Sequence, residues 1–368
     1  MLTYCTNIHP GEGWDDLLAN VEGHGLSVKH RFSPEDPFAL GLRISGRAAG
    51  EVGPGEVRRF GDWLEENGCY VRGINGFPYG PFHGTAVKRQ VYLPDWRSAE
   101  RVAYTDRLAQ LLAAWLPEGV RGSISTVPVA FKEGFDDGHW PLVERHLRQA
   151  LEGLLRLEEE RGAEIALALE PEPGCVLETT AEVENFFARL DLPEALGRHL
   201  GLCYDCCHQA VEFEDGGDSL ARLRAAGIPI ERVQVSSSPR AVGEEIQELA
   251  RFAEPTYLHQ VVARHRDGGL SRFPDLPDFL AELETLRGDL TECRVHFHVP
   301  VFAADLGFCG TTRPFLEDFL PRLDSSVPLE VETYSWAVLP EALRAGSVVD
   351  SIVRELAWVR DRRNGEVP

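Results

Sequence analysis

The residues Ile165-Ala166-Leu167-Ala168-Leu169-Glu170 alternate large apolar side chains with small ones and close on a carboxylate. A β-strand has a two-residue side-chain period, so Ile165, Leu167 and Leu169 share one face while Ala166, Ala168 and Glu170 share the other. The segment LGLCYD at 200–205 repeats the device, setting Leu200, Leu202 and Tyr204 against Gly201, Cys203 and Asp205. Such strands suit a parallel sheet whose outer face carries a ring of helices and whose inner face points into a crowded barrel.

Outward from these strands the chain repeats one unit, a short apolar strand, a polar or Gly/Pro-rich turn, and a helix. Helical spacing shows at Trp14, Leu17, Leu18 and Val21, at Leu108, Leu111, Leu112 and Trp115, at Val143, Leu147, Ala150 and Leu154, and at Val183, Phe186, Phe187 and Leu190. Thr179 with Glu182 three residues on forms a capping-box start for the last of these. Further helices are predicted around 279–286, 315–323 and 349–359. Strand candidates fall near 2–8, 40–45, 70–77, 121–127, 164–170, 200–205, 230–236, 293–299 and 328–333, with a weaker one near 257–263. That is more than eight, so the surplus is assigned to excursions in the βα loops, 257–263 first, and an extended loop region is expected over about 237–292. No Gly-rich phosphate loop follows the first strand, as an open dinucleotide-binding sheet would want. The expected fold is therefore α/β, a (β/α)8 TIM barrel with extended loops on its C-terminal face. No linker or low-complexity tract divides the 368 residues, and a single domain over 1–368 is expected.

Composition narrows the function. Lys+Arg 37 against Asp+Glu 59 leaves a net charge of −22, which repels phosphate backbones, so no nucleic-acid partner is expected. No apolar run approaches the roughly 20 residues needed to cross a bilayer, and no export signal opens the chain, so membrane insertion is excluded and a cytoplasmic location is expected. The eight cysteines read as free, buried thiols rather than a disulfide framework, the Cys203-x-x-Cys206 spacing lacking a second pair for zinc.

Carrying the two-residue period through the other strands yields a consistent inward set. With Val233 and Val235 outward, Gln234 and Ser236 face in; with Val295, Phe297 and Val299 outward, His296 and His298 face in; with Leu329 and Val331 outward, Glu330 and Glu332 face in. Glu170, Asp205, His298 and Glu332 then end different strands at the C-terminal mouth, where barrel active sites are built. Any one of these carboxylates could instead pair with an arginine such as Arg43 or Arg294. Jointly, they are costly to bury without a shared cation, and carboxylates with imidazole suit a divalent metal ion. His208, three residues after Asp205, is either a further ligand, a donor orienting Asp205, or a helix-start residue. Asn7, His9, Asn75, Glu172, Gln234 and His296 are the candidates for substrate contacts.

The LEPEPG stretch at 169–174, the Asp-x-x-His of Asp205 and His208, the His-x-His at 296–298 and the Val-Glu-Thr at 331–333 resemble the metal-binding strand ends of xylose-isomerase-like barrels, which include sugar-phosphate isomerases and epimerases and endonuclease IV. With TYCTNIHPGE at 3–12, NGFPYGPFHG at 75–84, VYLPDW at 91–96 and VETYSW at 331–336, the chain more particularly resembles the EboE metabolite-traffic family. The resemblance implies a metal held by Glu170, Asp205, His208, His298 and Glu332, of identity left open among manganese, zinc, magnesium and cobalt. It implies chemistry on a small hydroxy-carbonyl metabolite with Glu170 and Glu332 as the acid–base pair, or binding and transfer of a metabolite without turnover. Where the epimerases carry a histidine on the strand after the Asp, this chain has Gln234 followed by Ser236, Ser237 and Ser238. His298 would then have to fill that place from a later strand. The oligomeric state is left open.

Overall fold

A computed structural model describes residues 1–344 and 346–365. Eight parallel strands form the barrel wall: β1 (Leu2–Tyr4), β2 (Phe38–Arg43), β3 (Cys69–Asn75), β4 (Gly122–Thr126), β5 (Ile165–Leu169), β6 (Leu200–Asp205), β7 (Ile230–Val235) and, after an excursion of five strands, β13 (Leu329–Val331). Their order is β1-β13-β7-β6-β5-β4-β3-β2, and a parallel bridge from Cys5 to Gly41 joins the two ends, closing the wall. Helices Ala99–Trp115, Trp140–Arg161 and Thr180–Arg189 pack on its outside through the predicted apolar stripes, and the Thr179 hydroxyl accepts from the Glu182 N–H as the capping box requires. All eight cysteines are free and buried. No helix among the described residues is long and apolar enough to cross a membrane.

Three expectations are corrected. The segment 293–299 is not a barrel strand: β11 (Leu290–Val295) belongs to a second, antiparallel sheet of order β10-β9-β11-β8-β12, built with β8 (Pro239–Val242), β9 (Val261–His265), β10 (Leu270–Phe273) and β12 (Gly310–Thr311). The excursion accordingly runs past 292, to β12 at Gly310–Thr311, after which the helix Arg313–Phe319 packs back on the barrel core. It carries its own apolar cluster, in which Val295, Phe297 and Val299 pack with Phe252 and Phe279. The third correction concerns the first strand, which stops at Tyr4 and turns into a short 3₁₀ helix, Thr6–Ile8, instead of running to residue 8.

Inside the barrel, beneath its mouth, lies a paired polar layer. Arg232, from β7, approaches Glu330, from β13, at 3.5 Å and donates to the Asn75 Oδ1 (3.0 Å), the Ser123 hydroxyl (3.0 Å) and the Ser123 carbonyl (2.7 Å). Glu330 also accepts from the Asn75 amide (2.8 Å) and the Gln234 amide (2.9 Å). Room for this layer comes from two glycines. A Cβ on Gly41 would lie 1.9 Å from the Glu330 Oε2, and one on Gly73 would lie 2.2 Å from the Arg232 Nη2. Removing one partner of a buried pair strands the other charge, typically a loss of about 3 to 5 kcal/mol. Arg232→Met should therefore destabilise the protein by about that much in urea unfolding. A loss below about 1 kcal/mol would contradict the pairing.

Candidate metal centre

Each side chain at the mouth is placed by the end of an element. Glu170 follows β5 directly and its N–H bonds the Thr126 carbonyl (3.1 Å). Asp205 ends β6 and caps the short helix Cys206–Val211, its Oδ1 accepting from the His208 N–H (2.9 Å) and the Ser236 hydroxyl (2.7 Å). That cap fixes His208 in the first helical turn, over the same mouth. Glu332 follows β13, and its Oε1 accepts from the Asn7 amide (2.7 Å). His296 and His298 descend from the inserted sheet: the apolar side of that segment is held by the insert's core, so its other side turns to the barrel. The two-residue period thus gave the right facing for both histidines, though from a different sheet.

The groups converge. Ligand atoms of Glu170, Asp205 and Glu332 lie within 4.8 Å of one another, as do those of Asp205, His208 and His298, and those of Glu172, His208 and His296. The His298 Nδ1 lies 2.8 Å from the Glu332 carbonyl, which can only accept, so Nδ1 carries the proton and Nε2 presents its lone pair. That Nε2 is 3.9 Å from the Asp205 Oδ2, and neither atom has a hydrogen-bond partner among the described residues, although both residues are wholly buried. Unpartnered buried acceptors aimed at one point are expensive unless a cation lies between them. The donor set of carboxylates and imidazoles therefore fits a divalent metal.

Electrostatics agree with this fit. Burial, reinforced by Asp205 and Glu172, pushes Glu170 up to about 8. Burial and the neighbouring Glu170 and Asp205 likewise drive Glu332 well above the carboxylate range. Burial would raise Asp205 as well, but the charged His208 ring and its two hydrogen bonds outweigh it and hold it low. His298 is lowered to about 4 by burial. His208 is raised, since Asp205, Glu172 and Glu170 overcome its burial. Hydrogen bonding requires the same of His208. Its Nδ1 donates to the Pro171 carbonyl (2.9 Å), and its Nε2 faces the His296 Nε2 at 3.1 Å. Because the His296 Nδ1 donates to the Gln260 Oε1 (2.7 Å), the proton between the two rings belongs to His208, which is the imidazolium.

Above this floor opens a cavity of about 510 Å³, counted out to its solvent-open mouth, and Asn7, Glu170, Glu172, His208, His296 and Glu332 line it. Three substrate-contact candidates do not. Asn75 and Gln234 are consumed in the layer with Arg232 and Glu330, one level down. His9 is buried elsewhere, its Nε2 3.0 Å from the Tyr4 hydroxyl and its ring stacked on His24 at 4.4 Å. Neither suggested arginine pairs with a site carboxylate: Arg43 bonds Glu12 and Arg294 bonds Glu292. Residues the sequence reading missed are Tyr92, whose hydroxyl donates to Glu172 (2.7 Å), Gln260, which orients His296, and Tyr334, whose hydroxyl lies 3.5 Å from the His296 Nε2. Tyr92 and Tyr334 lie within the VYLPDW and VETYSW motifs but outside any strand, where a two-residue period says nothing about facing.

No known family profile matches the chain, and no curated protein is significantly similar in sequence. Solved structures are similar in fold. A xylose isomerase-like TIM barrel protein from Mycobacterium smegmatis in complex with magnesium aligns over 100% of this chain and 97% of its own, at 12% identity and a TM-score of 0.54. The IOLI protein with a binding zinc atom aligns over 100% and 99%, at 13% identity and 0.52. An L-ribulose 3-epimerase aligns over 99% and 95%, at 13% identity and 0.51. At such identities the likeness is one of fold, and it agrees with the eight-stranded TIM barrel of this chain.

The raised carboxyls set a pH dependence. Glu170 holds its proton to about 8 in the folded chain, against an ordinary value of 4.5. Its stabilising contribution is therefore complete below about 4.5 and is lost as pH rises through about 8. The melting temperature of metal-free protein should fall between about pH 5 and about pH 8, and Glu170→Gln should remove a share of that loss on the order of a few kcal/mol. A metal-free melting temperature that rises across this range would contradict the assignment.

Proposed function

We propose that the chain, acting as one domain over 1–368, is a metal-dependent isomerase or epimerase of a small hydroxy-carbonyl metabolite. The observation that carries the reading is the pair of unpartnered, buried atoms, Asp205 Oδ2 and His298 Nε2, facing each other between Glu170 and Glu332. The metal and sugar-epimerase associations of the structurally similar barrels support it. Glu170, Asp205, His298 and Glu332 would hold the ion, and His208 would join them by giving up the proton that it donates to His296. When bound, a divalent ion supplies Lewis acidity toward adjacent oxygens of a hydroxy-carbonyl compound. The rest is done by side chains. Glu332, held by Asn7, and Glu170 are the two carboxylates able to remove and return the proton beside the carbonyl, and transfer on opposite faces gives epimerisation. Tyr334, whose hydroxyl lies 3.5 Å from the His296 ring, is the polar group on the cavity wall that orients a substrate oxygen.

A second reading is a barrel that binds and hands on a metabolite without turnover, as the EboE resemblance implies. It is favoured by one observation: the strand after Asp205, on which the resemblance implies a histidine, carries Gln234, whose amide is spent on Asn75 and Glu330, and then Ser236, Ser237 and Ser238. Deuterium wash-in separates the two. With metal-loaded protein and a hydroxy-ketone in heavy water, proton NMR should show exchange beside the carbonyl that disappears in Glu332→Gln. Stoichiometric metal and tight ligand binding without exchange or product would favour the carrier. Absence of stoichiometric metal would refute both. His208→Ala should weaken metal binding about 10- to 100-fold in calorimetric titration while leaving the fold intact; wild-type affinity in that variant would remove His208 from the site.

A further inference from the structure

The cavity's walls differ in chemistry from its floor. Phe82, Tyr257 and Tyr334 form a three-ring cluster with centroids 5.0, 5.1 and 5.2 Å apart, and Phe77 packs with Tyr92 at 5.7 Å. All five rings line the cavity. Two of the three wall hydroxyls are already engaged, since Tyr92 donates to Glu172 and accepts from the Gln260 amide (2.7 Å) and the Tyr257 hydroxyl lies 2.7 Å from the His83 Nδ1, which leaves the Tyr334 hydroxyl alone for a substrate oxygen. The walls therefore offer ring faces rather than the convergent donors and acceptors that a polyhydroxylated chain needs to replace its water. Nor is there a ready anion site. Among the described residues the lining holds one lysine, Lys88, and no arginine, and the Lys88 ammonium is bonded to Asp275 at 2.6 Å. Glu170, Glu172 and Glu332 line the same space, and the cations beside them, the His208 imidazolium and a bound ion, are already engaged by Pro171 and His296 and by the floor carboxylates, so a phosphate would enter against carboxylates.

We propose that the substrate is an uncharged hydroxy-carbonyl compound bearing a flat apolar or aryl group, its oxygenated end on the carboxylate floor and its body between these rings, and that sugar phosphates are excluded. The inference rests on the metal-dependent reading of the same site. It explains why a site with a wholly polar floor keeps five aromatic rings around its opening. An aryl body gains ring-face contact and apolar burial, whereas a phosphate loses its hydration for no new partner.

Three probes share one hydroxy-ketone head and differ only in the group attached to it: dihydroxyacetone, dihydroxyacetone phosphate and 2-hydroxyacetophenone. Each is titrated calorimetrically into the metal-loaded full-length protein. The expected result is that 2-hydroxyacetophenone binds at least about tenfold more tightly than dihydroxyacetone, and that the phosphate binds no more tightly than dihydroxyacetone. Phe82→Ala should bring the aryl probe to within about threefold of dihydroxyacetone without changing metal stoichiometry. If that variant does not fold, the wild-type series alone decides. A preference for the phosphate, or equal affinity with and without the ring, would overturn the inference while leaving the metal-dependent reading standing. Failure to load metal at all would overturn both, and is read before any probe is added.

Discussion

Three carboxylates buried within reach of one ion are the constraint on which the rest of this structure depends. Glu170, Asp205 and Glu332 are 4%, 0% and 6% exposed, and their oxygens fall within 4.8 Å of one another. At that separation in a low-dielectric interior they cannot all ionise without compensation. Two devices share the load. Protons are retained on Glu170 and Glu332, which lie above the usual carboxylate range, while Asp205 keeps its charge beside the His208 imidazolium and through its bonds from Ser236 and the His208 N–H. The inserted sheet supports the second device, since it carries His296, whose ring accepts the His208 proton, and packs its own core behind it.

The barrel meets the same problem twice and solves it differently. Glu330 and Glu332 lie two residues apart on one strand end, a rise of about 6.6 Å. The lower carboxylate has a permanent partner in Arg232, with Asn75 and Gln234 completing its hydrogen bonds. The upper one has a single amide from Asn7 and no arginine. A paired layer beneath an incompletely paired one gives a rigid support under a floor that can accept an ion, and preorganisation of this kind is what metal binding and acid–base chemistry require. Gly41 and Gly73 belong to that support, since any side chain there would collide with the pair.

Much of this was legible in the chain. Alternation in IALALE and LGLCYD identified the inward carboxylates, and the same period aimed His296 and His298 correctly although they leave a different sheet. What the period could not supply was depth. Gln234 and Glu330 read as inward, as did Glu332, and Asn75 read as a substrate contact, but only the three-dimensional stagger of strands separates the interior layer from the mouth. Topology was equally hidden: Val295, Phe297 and Val299, at the end of β11 and just beyond it, alternate with His296 and His298 as residues of a barrel strand would, so the period alone did not separate the two sheets. Tyr92, Tyr334 and Gln260 come from irregular backbone, where side-chain direction follows no period, so the motifs around the two tyrosines pointed to the neighbourhood without giving a role.

The central claim is that barrel and insert together hold one divalent ion, and anomalous X-ray diffraction at the absorption edge of the loaded metal tests it most directly. The expected result is a single strong anomalous peak within about 2.0 to 2.6 Å of ligand atoms from Glu170, Asp205, Glu332 and the insert's His298. No peak at the mouth, or ions bound only by exposed surface carboxylates, would contradict it.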